Sequence, residues 1–476
     1  MYWRAKGINI LPYLDDLLFL ITGCEACRAL ARIVAEDMRL AGLSINWEKS
    51  DETPSQERVH LGFVVNLAEG LFKVPIRRWE ALKTSVGLIL TSKGVRVQAR
   101  KLASVVGMVI SMKLAWGPIT QLYTRNLYHI LNNVLSLNCW ITVSDEALNE
   151  LHFWNDLPRL RFESDIWPSM SGLSIKIATD ASDIGWGGHT LSGITYVAHE
   201  YFSQWEAIQS STYRELLGVN RCLQALLDKC KGKFVVLQVD AMNLLGIINR
   251  GSPKLPLNVL ARELFWFCLL HKITISVEWV PRESNAFADE ISKMLIPDDW
   301  SISRSFFNWL DFKWGPHTID LFSSNENNLC ELFYSLHWCR ACSGVNAFGF
   351  NWSKNNCWIN APFRLIGKVW RKLMAQHVKA TIIVPLWTSA TWWHLIAPDA
   401  FHLSEFVVDW VWLPRNDSSL FVQGKAQNGR TIDPPNWQLM ALRVDFSSNN
   451  SFVKLSKRDR CIQEGCRSCS SNSWKR

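Results

Sequence analysis

The sequence has no apolar run long enough to cross a membrane as a helix, so a helical membrane protein is excluded. It also lacks a basic-then-apolar leader, because Met1–Lys6 runs straight into an alternating apolar segment. Its 13 cysteines are odd in number and irregularly spaced, which excludes an evident disulfide framework and fits free thiols in a reducing compartment. The expectation is an intracellular protein of cytoplasm or nucleus, not secreted and with no membrane partner. No internal repeat is found. Acids are nearly missing between Gly70 and Trp116, where Glu80 stands alone against nine basic residues (Lys73, Arg77, Arg78, Lys83, Lys93, Arg96, Arg100, Lys101 and Lys113).

What is present is an ordinary globular composition. The chain has 476 residues, 48% hydrophobic and 20% charged, enough apolar mass for about three domains. The 25 tryptophans are expected in cores or aromatic platforms, and the net charge of +8 favours a polyanionic partner. The basic stretch reads either as a solvated helix face or as a surface for a phosphate backbone; beside the acidic motifs below, the second is favoured. Three C-x-x-C pairs occur. Cys24/Cys27 falls on an amphipathic helix, where buried thiols are expected. Cys339/Cys342, with His337 and Cys330 upstream, makes a zinc site conceivable as the less favoured reading. Cys466/Cys469 lies beside Cys461 in a polar tail.

Periodicity divides the chain into units of different kind. Residues 8–21 read as strand, tight turn and strand, and Cys24–Ala41 as a helix ended by Gly42. Residues 75–160 are mainly helical by apolar spacing. From "LSIKIATDAS" onward the order is βββαβαβα, an α/β layer on a mixed sheet. After "IPDDW" comes a third unit with short strands at "TIDLF", "GVNAFGFNW" and "CWINAP", a helix at "FRLIGKVWRKLMAQH" and a strand at "KATIIVPLW". The tail after Phe446 is rich in Ser, Lys and Cys and is expected to be disordered.

Two groups of carboxylates stand out. Asp15 and Asp16 sit side by side in the turn of "ILPYLDDLLFLI". Such a pair repels and loses solvation unless a hard cation takes its oxygens; an exposed turn is the plain alternative. The apolar flanks predict a packed hairpin, with Tyr13 in its floor. "YLDD", the helix after it, "GLSINWEKS" and "LGFVVN" resemble the later half of a reverse transcriptase palm. The resemblance implies that Tyr13–Asp16 are the catalytic Y-x-D-D box, that Lys49 lies near the incoming nucleotide, and that Leu61–Phe63 belong to the primer-grip hairpin. It implies two metal ions on a primer–template. The family also uses a third carboxylate from an earlier palm strand, and only 12 residues precede Tyr13. RNA-directed DNA polymerase activity is therefore expected to be absent from this chain alone.

The second group is Asp180 in "IATDAS", Glu215 in "YRELL", Asp240 in "QVDA" and Asp289 in "NAFADEIS". Singly, each has a plain role: strand-end capping for Asp180 and Asp240, a capping box opened by Thr212 for Glu215, and a helix-dipole partner for Asp289. Jointly, strand ends and helix starts converge on one edge of such a layer. Four acids with almost no base nearby predict a divalent site, and a pair of Mg²⁺ or Mn²⁺ ions. The order D…E…D…D resembles ribonuclease H, and more closely the ribonuclease H of DIRS-type tyrosine-recombinase retroelements. That resemblance implies cleavage of the RNA strand in RNA–DNA hybrids, with these four acids as catalytic metal ligands. It implies that Gly185, Gly187 and Gly188 admit the hybrid backbone, and that Asn285 and Ser292 are positioning residues. Many ribonucleases H carry a His in the loop before the last acid; "WVPRESNAFAD" has none.

The third unit resembles the segment that follows ribonuclease H in DIRS-type polyproteins, which is adenine-methyltransferase-like. Its box would be Asn360-Ala361-Pro362-Phe363, with alanine where the family has its first proline. No glycine-rich turn follows "IDLF" to cradle a methyl donor, so a structural or nucleic-acid-docking module is preferred. The expected fold class is multidomain α+β and α/β. Residues 1–72 form a partial palm, 73–165 a helical basic thumb or connection, and 166–298 the ribonuclease H-like layer. Residues 299–446 form the third α/β unit and 447–476 the tail. The function expected is that of a retroelement reverse transcriptase/ribonuclease H fragment, with other retroelement proteins as further partners. A catalytically dead nucleic-acid-binding remnant is the alternative.

Overall fold

A computed structural model describes residues 2–91, 96–156, 164–166, 174–294, 301–399, 402–414, 418–422 and 437–447. The expected disorder of the tail, and Cys461, Cys466, Cys469 and Lys93, lie outside these residues. The chain divides into two compact units: residues 1–172 with 246–265, and residues 173–245 with 266–476. None of the described helices is long and apolar enough to cross a membrane.

In the first unit, the strands Asn9–Tyr13 and Asp16–Leu20 pair antiparallel, and Glu57–His60, Phe63–Asn66 and Leu71–Lys73 form a meander. The helix Cys24–Leu40 buries only Leu30 and Val34 and is followed by Gly42 at φ 74°. Cys24 is exposed and Cys27 half-buried, against the expectation of buried thiols, because Leu30 and Val34 supply the apolar stripe instead. The helical core is built at i, i+3, i+4 and i+7 spacing by Leu102, Val105, Val106 and Val109, packed with Leu82, Val86 and Ile89 of the helix Ile76–Leu90. Trp116 stacks on Trp154 with ring centroids 5.4 Å apart. The carboxylate of Glu150 is fully buried in this unit. It accepts from the backbone N–H groups of Asn126 and Leu127, at the start of the helix Arg125–Asn132, and from Arg262 Nη2 at 2.6 Å.

The second unit holds two sheets. The first has five strands in the order Val197–Tyr201, Gly185–Thr190, Ser174–Ala181, Phe234–Val239, Thr274–Trp279. The first three pair antiparallel, and the last two add parallel to Ser174–Ala181. The helices Ser211–Ala225 and Ala286–Ser292 pack on it. The second sheet has seven strands in the order Gly344–Val345, Leu332–Ser335, Ile319–Asp320, Asn356–Ile359, Lys379–Pro385, Leu439–Asp445, Val407–Leu413. Its first five strands are parallel, and Leu439–Asp445 runs antiparallel to both neighbours. Short polar-flanked strands such as Leu332–Ser335 escape a reading by apolar alternation, as do the two late antiparallel strands.

Candidate active site

Asp180 is the penultimate residue of the strand Ser174–Ala181, and Asp240 directly follows Phe234–Val239. These strands are parallel neighbours with Ala178 opposite Gln238. Both aspartates therefore stand two residues past the same rung, at the carboxyl end of the sheet. Trp279 Nε1 donates to the Asp240 carbonyl at 2.9 Å and fixes that turn.

Glu215 arrives from the helix Ser211–Ala225. Ser210 is its N-cap and accepts from the Tyr213 N–H, so Glu215 lies a turn inside the helix and no capping box with Thr212 forms. Gly218, one turn on, lets the helix close on the sheet: a Cβ there would lie 3.1 Å from Trp186 Cβ. One ligand oxygen from each of Asp180, Glu215 and Asp240 lies within 4.8 Å of the other two. Asp180 and Glu215 are buried and Asp240 is half-buried.

The electrostatics follow from that crowding. Burial, then the charges of Asp180 and Asp240, push Glu215 up to about 9. Burial also raises Asp180, against a hydrogen bond from Ser292 Oγ to its Oδ2 at 2.7 Å. Ser292 in turn accepts at its carbonyl from Ser182 Oγ, and Asn285 Nδ2 donates to the Thr179 carbonyl at 2.9 Å. These two residues hold the helix Ala286–Ser292 against the acidic strand end.

Asp289 does not join the other three. Its Oδ1 accepts from Arg282 Nη2 at 2.9 Å and its Oδ2 from Lys293 Nζ at 2.6 Å. Those hydrogen bonds, Lys293's first, hold its carboxyl below the usual range. The expectation of four converging acids without a nearby base is corrected on both points. Lys293 was legible as the i+4 partner of Asp289. Arg282 was not, because it approaches from the turn before the helix.

The glycines also differ from expectation. Gly187 faces inward, and a Cβ there would lie 2.5 Å from the Ser292 nitrogen; one on Gly188 would strike Cys222 Sγ. A Cβ on Gly185 would lie 2.8 Å from the Glu200 carbonyl oxygen. Their missing side chains make room for the protein's own helices and edge strand, not for a hybrid backbone.

At the other acidic motif, Tyr13 pairs with Asp16 across a two-residue turn in which Leu14 takes φ 53°. Asp15 and Asp16 are exposed, and among the described residues no third acid stands with them at ligand spacing. The hairpin is not packed as its apolar flanks predict: only Ile10 is buried, and Tyr13 is 57% exposed. Lys49 lies in an exposed turn whose backbone bonds to Asn46. Of the nine basic residues, Arg78 is spent within the fold on the Gly62 carbonyl and Ser111, whereas Arg77, Arg96, Arg100, Lys101 and Lys113 are exposed.

In the seven-stranded sheet the strand order reverses between Ile319–Asp320 and Asn356–Ile359. Asn360 follows the second of these, at the kind of crevice where open α/β sheets bind ligands. Phe363, Trp387 and Trp437 cluster there with centroids 5.1–6.2 Å apart. Asp320 ends the first strand fully buried, and burial pushes it up to about 7 although it accepts from the Leu329 and Phe322 N–H groups. No zinc cluster forms among the described residues. Cys330 lies near Asp320 and Cys357, whereas Cys339 contacts Cys342 and Ser335.

Residues 292–460 match the family model for DNA N-6-adenine-methyltransferase (Dam). No curated protein matches the chain. Among solved structures, a foamy viral protease-reverse transcriptase in complex with double-stranded DNA is similar, at 15% identity and a TM-score of 0.30 over 57% of this chain and 46% of that one. The foamy viral protein with an RNA/DNA hybrid gives 15% and 0.30 over 61% and 37%. Ribonuclease H1 of the halophilic archaeon Halobacterium salinarum gives 20% and 0.22 over 25% of this chain and 94% of its own. The chain spans 46% and 37% of the length of these two foamy viral chains. Likenesses at this level assign no activity to it.

Proposed function

We propose that the chain is a retroelement reverse transcriptase/ribonuclease H fragment of DIRS type that hydrolyses the RNA strand of RNA–DNA hybrids. The observation that carries this reading is the meeting of Asp180, Glu215 and Asp240, from two strand ends and a helix, with oxygens within 4.8 Å. The donor set fits hard divalent cations: it is all carboxylate, and with no cation among them burial and mutual repulsion keep Glu215 protonated at neutral pH. When bound, a pair of Mg²⁺ or Mn²⁺ ions would supply an activated water and charge relief for the leaving oxygen of a phosphodiester. Asp180, Glu215 and Asp240 would hold them, with Asp289 as fourth ligand. Ser292 orients Asp180 through its hydroxyl, and Trp279 fixes the backbone of Asp240. The exposed cations Arg77, Arg96, Arg100, Lys101 and Lys113 are the candidates for phosphate contact with a hybrid or primer–template. Asp15, Asp16 and Lys49 are read as palm-like residues; with Asp15 and Asp16 exposed and no third acid at ligand spacing among the described residues, they are not expected to polymerise DNA.

The test is cleavage of an end-labelled RNA–DNA hybrid by the full chain with Mg²⁺ or Mn²⁺, beside Asp240→Asn. Metal-dependent cutting of the RNA strand that the variant loses supports the enzyme. Hybrid binding without cutting supports the non-catalytic remnant instead.

A second reading concerns residues 292–460. The reversed strand order beside Asn360, and the methyltransferase family match over that span, favour a nucleoside-ligand module over a purely structural one. Binding of an adenosyl methyl donor, measured by calorimetry and lost in Asn360→Ala, is its test.

A further inference from the structure

Asp289 is held by two cations while three other acids stand together beside it. Its helix packs closely on the sheet, where a Cβ built on Gly187 would lie 2.5 Å from Ser292 N. The present hold on Asp289 is weak in kind: the side chains of Arg282 and Lys293 are 70% and 51% exposed, and exposed pairs contribute little. Both cations lie within electrostatic reach of the triad. Arg282 is raised chiefly by its hydrogen bond to Asp289, and also by Asp180 and Asp240; Lys293 acts on Asp180.

We propose that Arg282 and Lys293 are a latch that keeps Asp289 off the acidic triad, and that uptake of a second divalent cation is the exchange of these two side chains for the ion on the Asp289 carboxylate. The latch rests on the reading of the triad as a divalent site. It makes Arg282 and Lys293 positioning residues, acting through Asp289. Arg282 and Lys293, with side chains 70% and 51% exposed, would then stand where a polyanionic substrate could meet them.

The test is titration of the full chain with Mn²⁺ by calorimetry, with bound ions counted by electron paramagnetic resonance. The variants are Arg282→Gln, Asp289→Asn and the double variant, all checked for unchanged thermal unfolding. The unaltered chain should bind two ions. Arg282→Gln should bind the weaker one about two- to fivefold more tightly. Asp289→Asn should lose that ion, and the double variant should gain nothing from Arg282→Gln. Two ions bound with Arg282→Gln unmoved would overturn the latch alone. So would an Arg282→Gln gain that persists in the double variant, or one ion bound by the unaltered chain and by Asp289→Asn alike. No Mn²⁺ bound by the unaltered chain would overturn both the latch and the divalent reading beneath it.

Discussion

Arg340 closes on the carboxylate of Glu200 with Nε at 3.1 and 3.0 Å and Nη2 at 2.8 Å, joining residues 140 positions apart. Glu200 lies on the strand Val197–Tyr201 of the five-stranded sheet, its side chain 1% exposed. Asn325 Nδ2 adds a third donor at 2.6 Å and Trp186 Nε1 a fourth at 3.3 Å. Two of the three residues that satisfy this buried charge thus come from the part of the chain that forms the seven-stranded sheet.

Removing one partner of a buried pair strands the other. Arg340→Ala is expected to destabilise the second unit by about 3 kcal/mol, less than a fully enclosed pair because Arg340 is partly exposed. The further change Glu200→Gln should recover part of that loss. Chemical denaturation of the three proteins checks both statements. For the same reason, hydrolysis assays call for the full chain: one ending before Asn325 keeps Glu200 and loses Arg340 and Asn325.

Stability should depend on pH through Glu215. Its carboxyl is raised to about 9 in the fold and is ordinary when unfolded, so the folded state holds the extra proton between those values. Metal-free protein should therefore lose stability as pH rises from about 4.5 to about 9, with a slope of up to about 1.4 kcal/mol per unit. Mn²⁺ should flatten the slope, and Glu215→Gln should reduce it, leaving the part that Asp180 and Asp320, also raised by burial, contribute. Thermal melts across pH with a chelator, then with Mn²⁺, measure it.

Gly187→Ala places a methyl group against the backbone of Ser292 and the side chain of Ile291. Overpacking of that kind costs about 1–3 kcal/mol. Here it should also lift Ser292 from Asp180, so Mn²⁺ affinity should fall further than the loss of stability explains. The same substitution at Gly246, where nothing lies within 4 Å of the added Cβ, should leave Mn²⁺ binding unchanged. Calorimetry on both variants separates the two effects.

Cys342 is expected to react before the buried thiols Cys330 and Cys357. Hydrogen bonding to its sulfur, from Cys339 foremost, holds it below the usual thiol range, whereas burial pushes Cys330 and Cys357 up to about 12. Brief alkylation at pH 7 followed by peptide mass spectrometry should label Cys342 well before those two.

The acids that meet were legible because Asp180 and Asp240 follow apolar strand segments and Glu215 lies in a strongly patterned helix. Periodicity places such residues on a common sheet edge without knowledge of the partner strands. It says nothing about side chains that arrive from far along the chain, and so it missed Glu200 with Arg340 and misjudged the surroundings of Asp289. The glycines of "GWGG" signalled close approach correctly and left the approaching group open; the structure supplies Ser292, Cys222 and the Glu200 backbone. The hairpin at Asp15 was misread for a different reason. Apolar flanks predict burial only where something covers them, and Leu11, Tyr13 and Leu14 are exposed.

The strand Val197–Tyr201 is the last of its sheet, and its outer hydrogen-bonding row is used by Trp338: His199 N–H donates to the Trp338 carbonyl, and Trp338 N–H to that of Val197, both at 3.0 Å. An open strand at that position would be a template for pairing with other chains. The segment around Trp338 therefore acts as a stopper against self-association as well as a joint. Proteolysis that released it would convert a soluble edge into an adhesive one, and the first sign would be growth in particle size before any loss of helix.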